Sequence, residues 1–162
     1  MQGSTTASGY RFAVVVSRFN EEITSGLLSG ALATLAEAEV RDADITVVRV
    51  PGAFEIPLTS MRLAETGRYD AIVCLGCLIK GDTMHFEYIA TATSNGIMDA
   101  SAATGIPMAF GVLTVLTDEQ ALARAGAGPD NKGREAARAA VEMVTLLRLV
   151  DPDSATGGAV ER

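Results

Sequence analysis

Four short apolar runs, alternating with segments whose apolar residues recur every three or four positions, constrain this chain more than any other feature. The runs cover 11–17, 44–50, 71–80 and 108–115. Strands that are apolar at nearly every position must be covered on both faces, as in parallel sheets. Between them, Ile23, Leu27, Ala31 and Leu35 repeat along one helical face, with Asn20 placed as an N-cap and Glu21 and Glu22 suited to the first turn. Pro51-Gly52 stops the second strand, and Pro57 is tolerated in the first turn of a helix running to about 66. A third helix is predicted over 84–104, broken by Gly105-Ile106-Pro107. Thr117-x-x-Gln120 reads as a capping box opening a short helix to about 125, and a last helix is predicted over 132–150. Its Ala137, Val141 and Val144 face packs on the sheet or meets another subunit.

This alternation predicts an α/β fold: a three-layer sandwich, flavodoxin-like, with a four-stranded parallel sheet, helices on both faces and right-handed crossovers. The 162 residues make one domain, 1–162, able to bury ~70% of the surface its unfolded chain exposes. Residues 1–10 are small and polar, a flexible arm or a strand that needs a partner, and 151–162 form a polar tail. In such sheets ligands bind beyond the carboxyl ends of the strands. Phe19, Ala53-Phe54-Glu55 and the stretch from Lys80 to His85 all fall at those ends.

Charge narrows the choice of partner. A net charge of −7 and a pI near 4.7 argue against nucleic acid or an anionic membrane, so any anion must be held by a local cluster. The absence of a spanning run and of a basic, then apolar, amino terminus points to a cytoplasmic protein. Cys74-x-x-Cys77 lies inside a predicted strand, where residues three apart face opposite ways, so two buried, reduced thiols are expected rather than a redox pair. Two cysteines and one histidine leave too few ligands for a zinc site, and no metal or organic cofactor is expected.

The chemistry concentrates at the third strand-to-helix junction. Gly81-Asp82-Thr83 is either an ordinary turn with Thr83 as N-cap or an anion seat built from backbone N–H groups and the helix dipole, with Lys80 and His85 on either side. His85, the only histidine, is either a structural hydrogen-bonding residue or a proton carrier near neutral pH. Phe19, Phe54 and Phe110 lie near strand ends and either fill the core or stack on a heterocycle. Glu55 either complements a helix dipole or contacts a ligand, and Arg124 and Lys132 are either solvated charges or a second phosphate handle.

Taken together, five segments resemble the lumazine synthases, enzymes of riboflavin biosynthesis. These are Ser17-Arg18-Phe19-Asn20, Val50 to Pro57, Leu75 to Tyr88, Gly105 to Thr114, and Asn131-Lys132-Gly133 with Glu135-Ala136-Ala137, in the family's order across 11–149. The resemblance implies condensation of 5-amino-6-ribitylamino-pyrimidinedione with 3,4-dihydroxy-2-butanone 4-phosphate to 6,7-dimethyl-8-ribityllumazine, with release of phosphate and water. It implies that Phe19 stacks on the pyrimidine, that Ala53, Phe54 and Glu55 hold the ribityl chain, and that Ile79 and Lys80 flank the ring. Asp82 and Thr83 supply phosphate-binding amides, Arg124 binds phosphate, and His85 transfers protons. It also implies a homo-oligomer, a pentamer or an icosahedral shell of pentamers, in which Phe110, Arg124 and Lys132 come from the neighbouring subunit, with riboflavin synthase as a further partner. A relative retained as a flavin-binding or shell protein with little synthase activity is the alternative. Met84, Lys80 and Gly128-Pro129-Asp130 depart from the common family pattern.

Overall fold

The computed structural model describes residues 1–152; residues 153–162, most of the expected tail, lie outside the described residues. Four strands, β1 (Phe12–Ser17), β2 (Ile45–Val50), β3 (Ala71–Ile79) and β4 (Met108–Val115), form one sheet in the order β2-β1-β3-β4, every pair parallel. Five helices connect and follow them: α1 (Glu21–Glu37), α2 (Ile56–Glu65), α3 (His85–Thr104), α4 (Asp118–Ala125) and α5 (Lys132–Val150). This is the expected three-layer α/β arrangement.

Side-chain alternation along the strands builds two cores. Phe12, Val14 and Val16 of β1 pack with Leu27 and Leu35 of α1, Ala121 of α4 and Ala137 and Val141 of α5. Ala13 and Val15 face the other way, toward Ile56 and Ala64 of α2 and Ile97 of α3. β1 is buried at every position because both its neighbours and both its faces are occupied. β2, at one edge, differs: most of its residues are half-buried or exposed, Val47 among the exposed, because no second neighbour flanks it. The sequence predicts an evenly covered sheet, and strand order makes the coverage uneven.

Cys74 and Cys77 project into opposite cores, as their spacing in a strand requires. Burial pushes the Cys74 thiol up to about 12, partly opposed by its contact with Ser60 Oγ. Burial, and then the Asp118 charge, raises Cys77 to about 11.

The amino-terminal arm lies against α1 and α5. The Ser4 N–H donates to Thr145 Oγ1 at 2.8 Å, the Ala7 N–H donates to the Ala38 carbonyl at 2.8 Å, and Ala7 itself is buried. The arm forms no strand among the described residues and is held by these bonds to the helix pair.

α1 and α5 approach closely because glycine stands where they meet. A Cβ on Gly133 would fall 1.9 Å from the Leu27 carbonyl oxygen, and one on Gly30 would fall 2.3 Å from Asn131 Oδ1. We predict that Gly133→Ala lowers stability by about 1–3 kcal/mol through overpacking, read as a fall in Tm. Neither thiol should react with an alkylating reagent at about pH 8 until the protein is denatured, because neither forms thiolate there.

Candidate active site

The site begins with three loops that hang from the carboxyl ends of β1, β2 and β3. In the first, Arg18 N–H donates to the Val50 carbonyl at 2.8 Å and Phe19 N–H to Pro51 at 3.1 Å, extending the β1–β2 ladder beyond the strands. Asn20 stands at the N-cap of α1 in the left-handed conformation, φ 58°, which asparagine tolerates better than most residues. Its side chain makes no cap. Instead Asn20 Nδ2 donates to the Cys77 carbonyl at 2.9 Å, tying the loop to β3. Phe19 is thereby fixed from both sides and 68% exposed, so the core-filling reading fails for it.

After β2, Ala53–Glu55 form one 3₁₀ turn. Glu55 carboxylate accepts from the Gly52 N–H at 2.9 Å, which satisfies the helix-complementing reading while leaving the side chain on the cleft wall. Phe54 is 57% exposed.

After β3 the chain turns through 80–84 into α3. Lys80 N–H donates to the Val115 carbonyl, the last residue of β4, at 2.9 Å. Among the described residues, the N–H groups of Gly81, Asp82, Thr83 and Met84 have no hydrogen-bond partner. Thr83 Oγ1 accepts from His85 N–H at 3.4 Å, but Met84 stands at the N-cap of α3 and makes no side-chain cap bond, so Thr83 is not the N-cap that the sequence suggested. Free amides at the amino end of a helix of 20 residues are suited to an anion.

The three loops enclose a cleft of about 510 Å³ lined by Phe19, Ala53, Phe54, Glu55, Ile79, Thr83 and His85, with Leu78, Phe86 and Ile89 as its floor. These last three were missed in the sequence, although Phe86 and Ile89, three apart, share a face of α3 and were a readable signal. No lysine or arginine lines the cleft among the described residues.

One expected side chain turns away. The Lys80 ammonium does not line the cleft; it pairs with Glu87 Oε1 at 2.9 Å, in the first turn of α3. That hydrogen bond, followed by one from the residue's own backbone, holds the Glu87 carboxyl below its ordinary value of 4.5. The Asp82 side chain is also outside the lining, which leaves its free amide as its contribution to the loop.

Phe110, Arg124 and Lys132 lie elsewhere. Phe110 is the third residue of β4, paired with Cys74, near the amino end of its strand and so away from the carboxyl-end loops. With Arg124 and Lys132 it lines a second hollow of about 280 Å³ beside β4, α4 and α5, which shares no residue with the cleft. Phe110 is 47% exposed because β4 is the other edge of the sheet. Arg124 donates from Nη1 to the Gln120 carbonyl at 3.0 Å, and Lys132 pairs with Glu135.

With the order β2-β1-β3-β4, the cleft opens where successive connections leave the sheet in opposite directions, between β1 and β3. A flavodoxin-like α/β protein with a ligand cleft at that switch point is the class that fold and site define. A family model described as 6,7-dimethyl-8-ribityllumazine synthase matches residues 9–148. The chain is 48% identical over 147 residues to the 6,7-dimethyl-8-ribityllumazine synthase of Salinibacter ruber, covering 91% of this chain and 94% of that protein. It is 51% identical over 149 residues to the protein of the same name from Syntrophus aciditrophicus, covering 92% and 97%. The chain belongs to the 6,7-dimethyl-8-ribityllumazine synthase family.

The Lys80–Glu87 pair closes the loop that carries the free amides. Because the Glu87 value is depressed on folding, its stabilisation is fully present above pH 4.5 and is lost as pH falls through the lower folded value. We predict that wild-type protein loses its Tm advantage over Glu87→Gln on acidification from about pH 6 to about pH 3.

Proposed function

We propose that this protein condenses 5-amino-6-ribitylamino-pyrimidinedione with 3,4-dihydroxy-2-butanone 4-phosphate, giving 6,7-dimethyl-8-ribityllumazine, phosphate and water. The observation that carries the reading is the division of the site. One cleft offers an exposed phenyl ring, free amides and a histidine but, among the described residues, no lysine or arginine, and a separate edge hollow holds Arg124, Lys132 and another exposed phenyl ring. A phosphate-bearing substrate needs both.

A second copy of the chain supplies the missing half. The cleft of one subunit meets the β4 edge of the next, a contact between unlike surfaces that closes into a ring when the rotation permits. The ring proposed is a homopentamer, alone or as the unit of an icosahedral shell.

Within that composite site the pyrimidine stacks between Phe19 and the neighbour's Phe110, with Ile79 at its edge. Ala53, Phe54 and Glu55 hold the ribityl chain, with the neighbour's Lys132 beside the heterocycle. The phosphate lies on the amides of Asp82 and Thr83 and pairs with the neighbour's Arg124, whose planar guanidinium can engage two oxygens at once. The substrate's 5-amino group attacks the ketone carbonyl and water leaves. Loss of the C3 proton then lets phosphate depart from C4. The resulting enol tautomerises to a carbonyl at C3, and the ribitylamino nitrogen closes onto it with loss of a second water. His85 moves protons at the reacting nitrogen and oxygen atoms. Such a sequence needs orientation above all, which is what two preformed surfaces around the substrates supply.

Incubating the purified protein with both substrates and following lumazine absorbance and phosphate release tests the reading. Tight flavin binding without product at high protein concentration would overturn it in favour of a binding or shell protein. We predict that Arg124→Ala raises KM for the phosphate-bearing substrate at least ~10-fold, a loss expected for one charge-assisted contact. His85→Ala should lower kcat by roughly 10- to 100-fold with smaller changes in KM.

A further inference from the structure

Asn131 is a buried polar side chain, 3% exposed, and makes more hydrogen bonds than a cap requires. Its Oδ1 accepts from Gly133 N–H at 2.8 Å and Arg134 N–H at 3.2 Å, which caps α5. Its Nδ2 donates to the carbonyls of Gly26 at 3.0 Å, Ala125 at 3.0 Å and Gly126 at 2.8 Å. Two N–H hydrogens shared among three carbonyls, with the oxygen turned to two N–H groups, fix the amide's orientation: the reverse would set oxygen against three oxygens.

These bonds join three helices at one point. Gly26 belongs to α1, Ala125 ends α4, and Gly133 is the second residue of α5. The residues on either side of the knot are the two cations of the edge hollow: Arg124 directly precedes Ala125, and Lys132 directly follows Asn131. Between them, 126–130 form a surface loop with one backbone bond to the knot, Asn131 N–H to the Gly128 carbonyl at 3.3 Å. α4 is only eight residues long, so its last turn has little helix of its own to hold it.

We propose that Asn131 is the positioning residue for Arg124: its amide donor ties the end of α4 to the rigid α1 helix so that the guanidinium reaches the neighbouring subunit's cleft, while its capping oxygen holds Lys132 at the start of α5. This rests on the shared-site reading above. Capping alone would need only an acceptor, which serine or aspartate provides. The extra donor to Gly26, Ala125 and Gly126 is what couples α4 to α1 and α5.

Two variants separate the roles. Asn131→Ser keeps a capping oxygen and removes the donor; Asn131→Asp keeps the shape and places a carboxylate against the three carbonyls. Both should form the wild-type oligomer by light scattering, with KM for 3,4-dihydroxy-2-butanone 4-phosphate raised about tenfold and KM for the pyrimidine changed less than about twofold. Equal changes in both KM values, an unchanged KM for the phosphate substrate, or failure of both variants to assemble would assign Asn131 to folding alone and overturn the proposal. Co-expression with His85→Ala chains adds a readout that structural weakening does not produce. Clefts on Asn131→Ser chains then meet wild-type cations, and a fraction of sites should regain the wild-type KM. The control pairs Arg124→Ala with His85→Ala. No recovery of activity in the control sinks the shared-site reading, whereas recovery there without recovery of KM in the Asn131→Ser mixture sinks the Asn131 proposal alone.

Discussion

The ladder between β1 and its two neighbours is the constraint from which the rest follows. β1 is buried at every residue and pairs in register with β2 on one side and β3 on the other, so its end fixes where three loops begin. Shifting that register by one residue would turn Val14 and Val16 into the α2–α3 core and Ala13 and Val15 out of it, at odds with the volumes each side must fill. The ladder continues past the last strand residues through the Arg18 and Phe19 amides, and Asn20 extends it to β3. The exposed phenyl ring of Phe19 is thus held by backbone bonds, and its side chain is left free.

An aliphatic core on both sides of a parallel sheet gives this protein rigidity where the loops emerge, while the sheet's two edges stay open. The β2 edge exposes Val47 and Arg49, and the β4 edge exposes Phe110 and Thr114. Open edges are ordinarily a liability. Here the β4 edge also carries the hollow that combines an aromatic ring with Arg124 and Lys132. In the proposed assembly, covering the edge and completing the site are one event. In that assembly the economy accounts for a cleft without lysine or arginine among the described residues.

Much of the fold was legible because its signals are local. Prolines and glycines at 51–52, 105–107 and 151–152 end elements through backbone geometry that no tertiary contact overrides. The strand-to-helix junctions alone gather Phe19, Glu55, Thr83 and His85 at one mouth, and all four line the cleft. What misled were residues whose local role is common and whose actual partner is distant. Asn20 reads as an N-cap because asparagine usually caps, yet its amide is spent on Cys77, 57 residues away. Lys80 reads as a ligand of the cleft because of its place in sequence, yet Glu87, one turn into α3, takes its charge. Asn131 reads as part of a short motif, and its reach across to Gly26, 105 residues away, has no sequence signature.

The sequence by itself determined the number and order of elements, the two-sided burial of the central strands and the residue types at their carboxyl ends. Hydrophobic period and turn chemistry act over a few residues, and one chain displays them in full. Only the tertiary structure decided which strands became edges, that Phe110, Arg124 and Lys132 stand apart from the cleft, and which buried amide ties three helices together. Those outcomes depend on strand order and on contacts between residues far apart in sequence, where side chains compete for partners that local pattern does not specify.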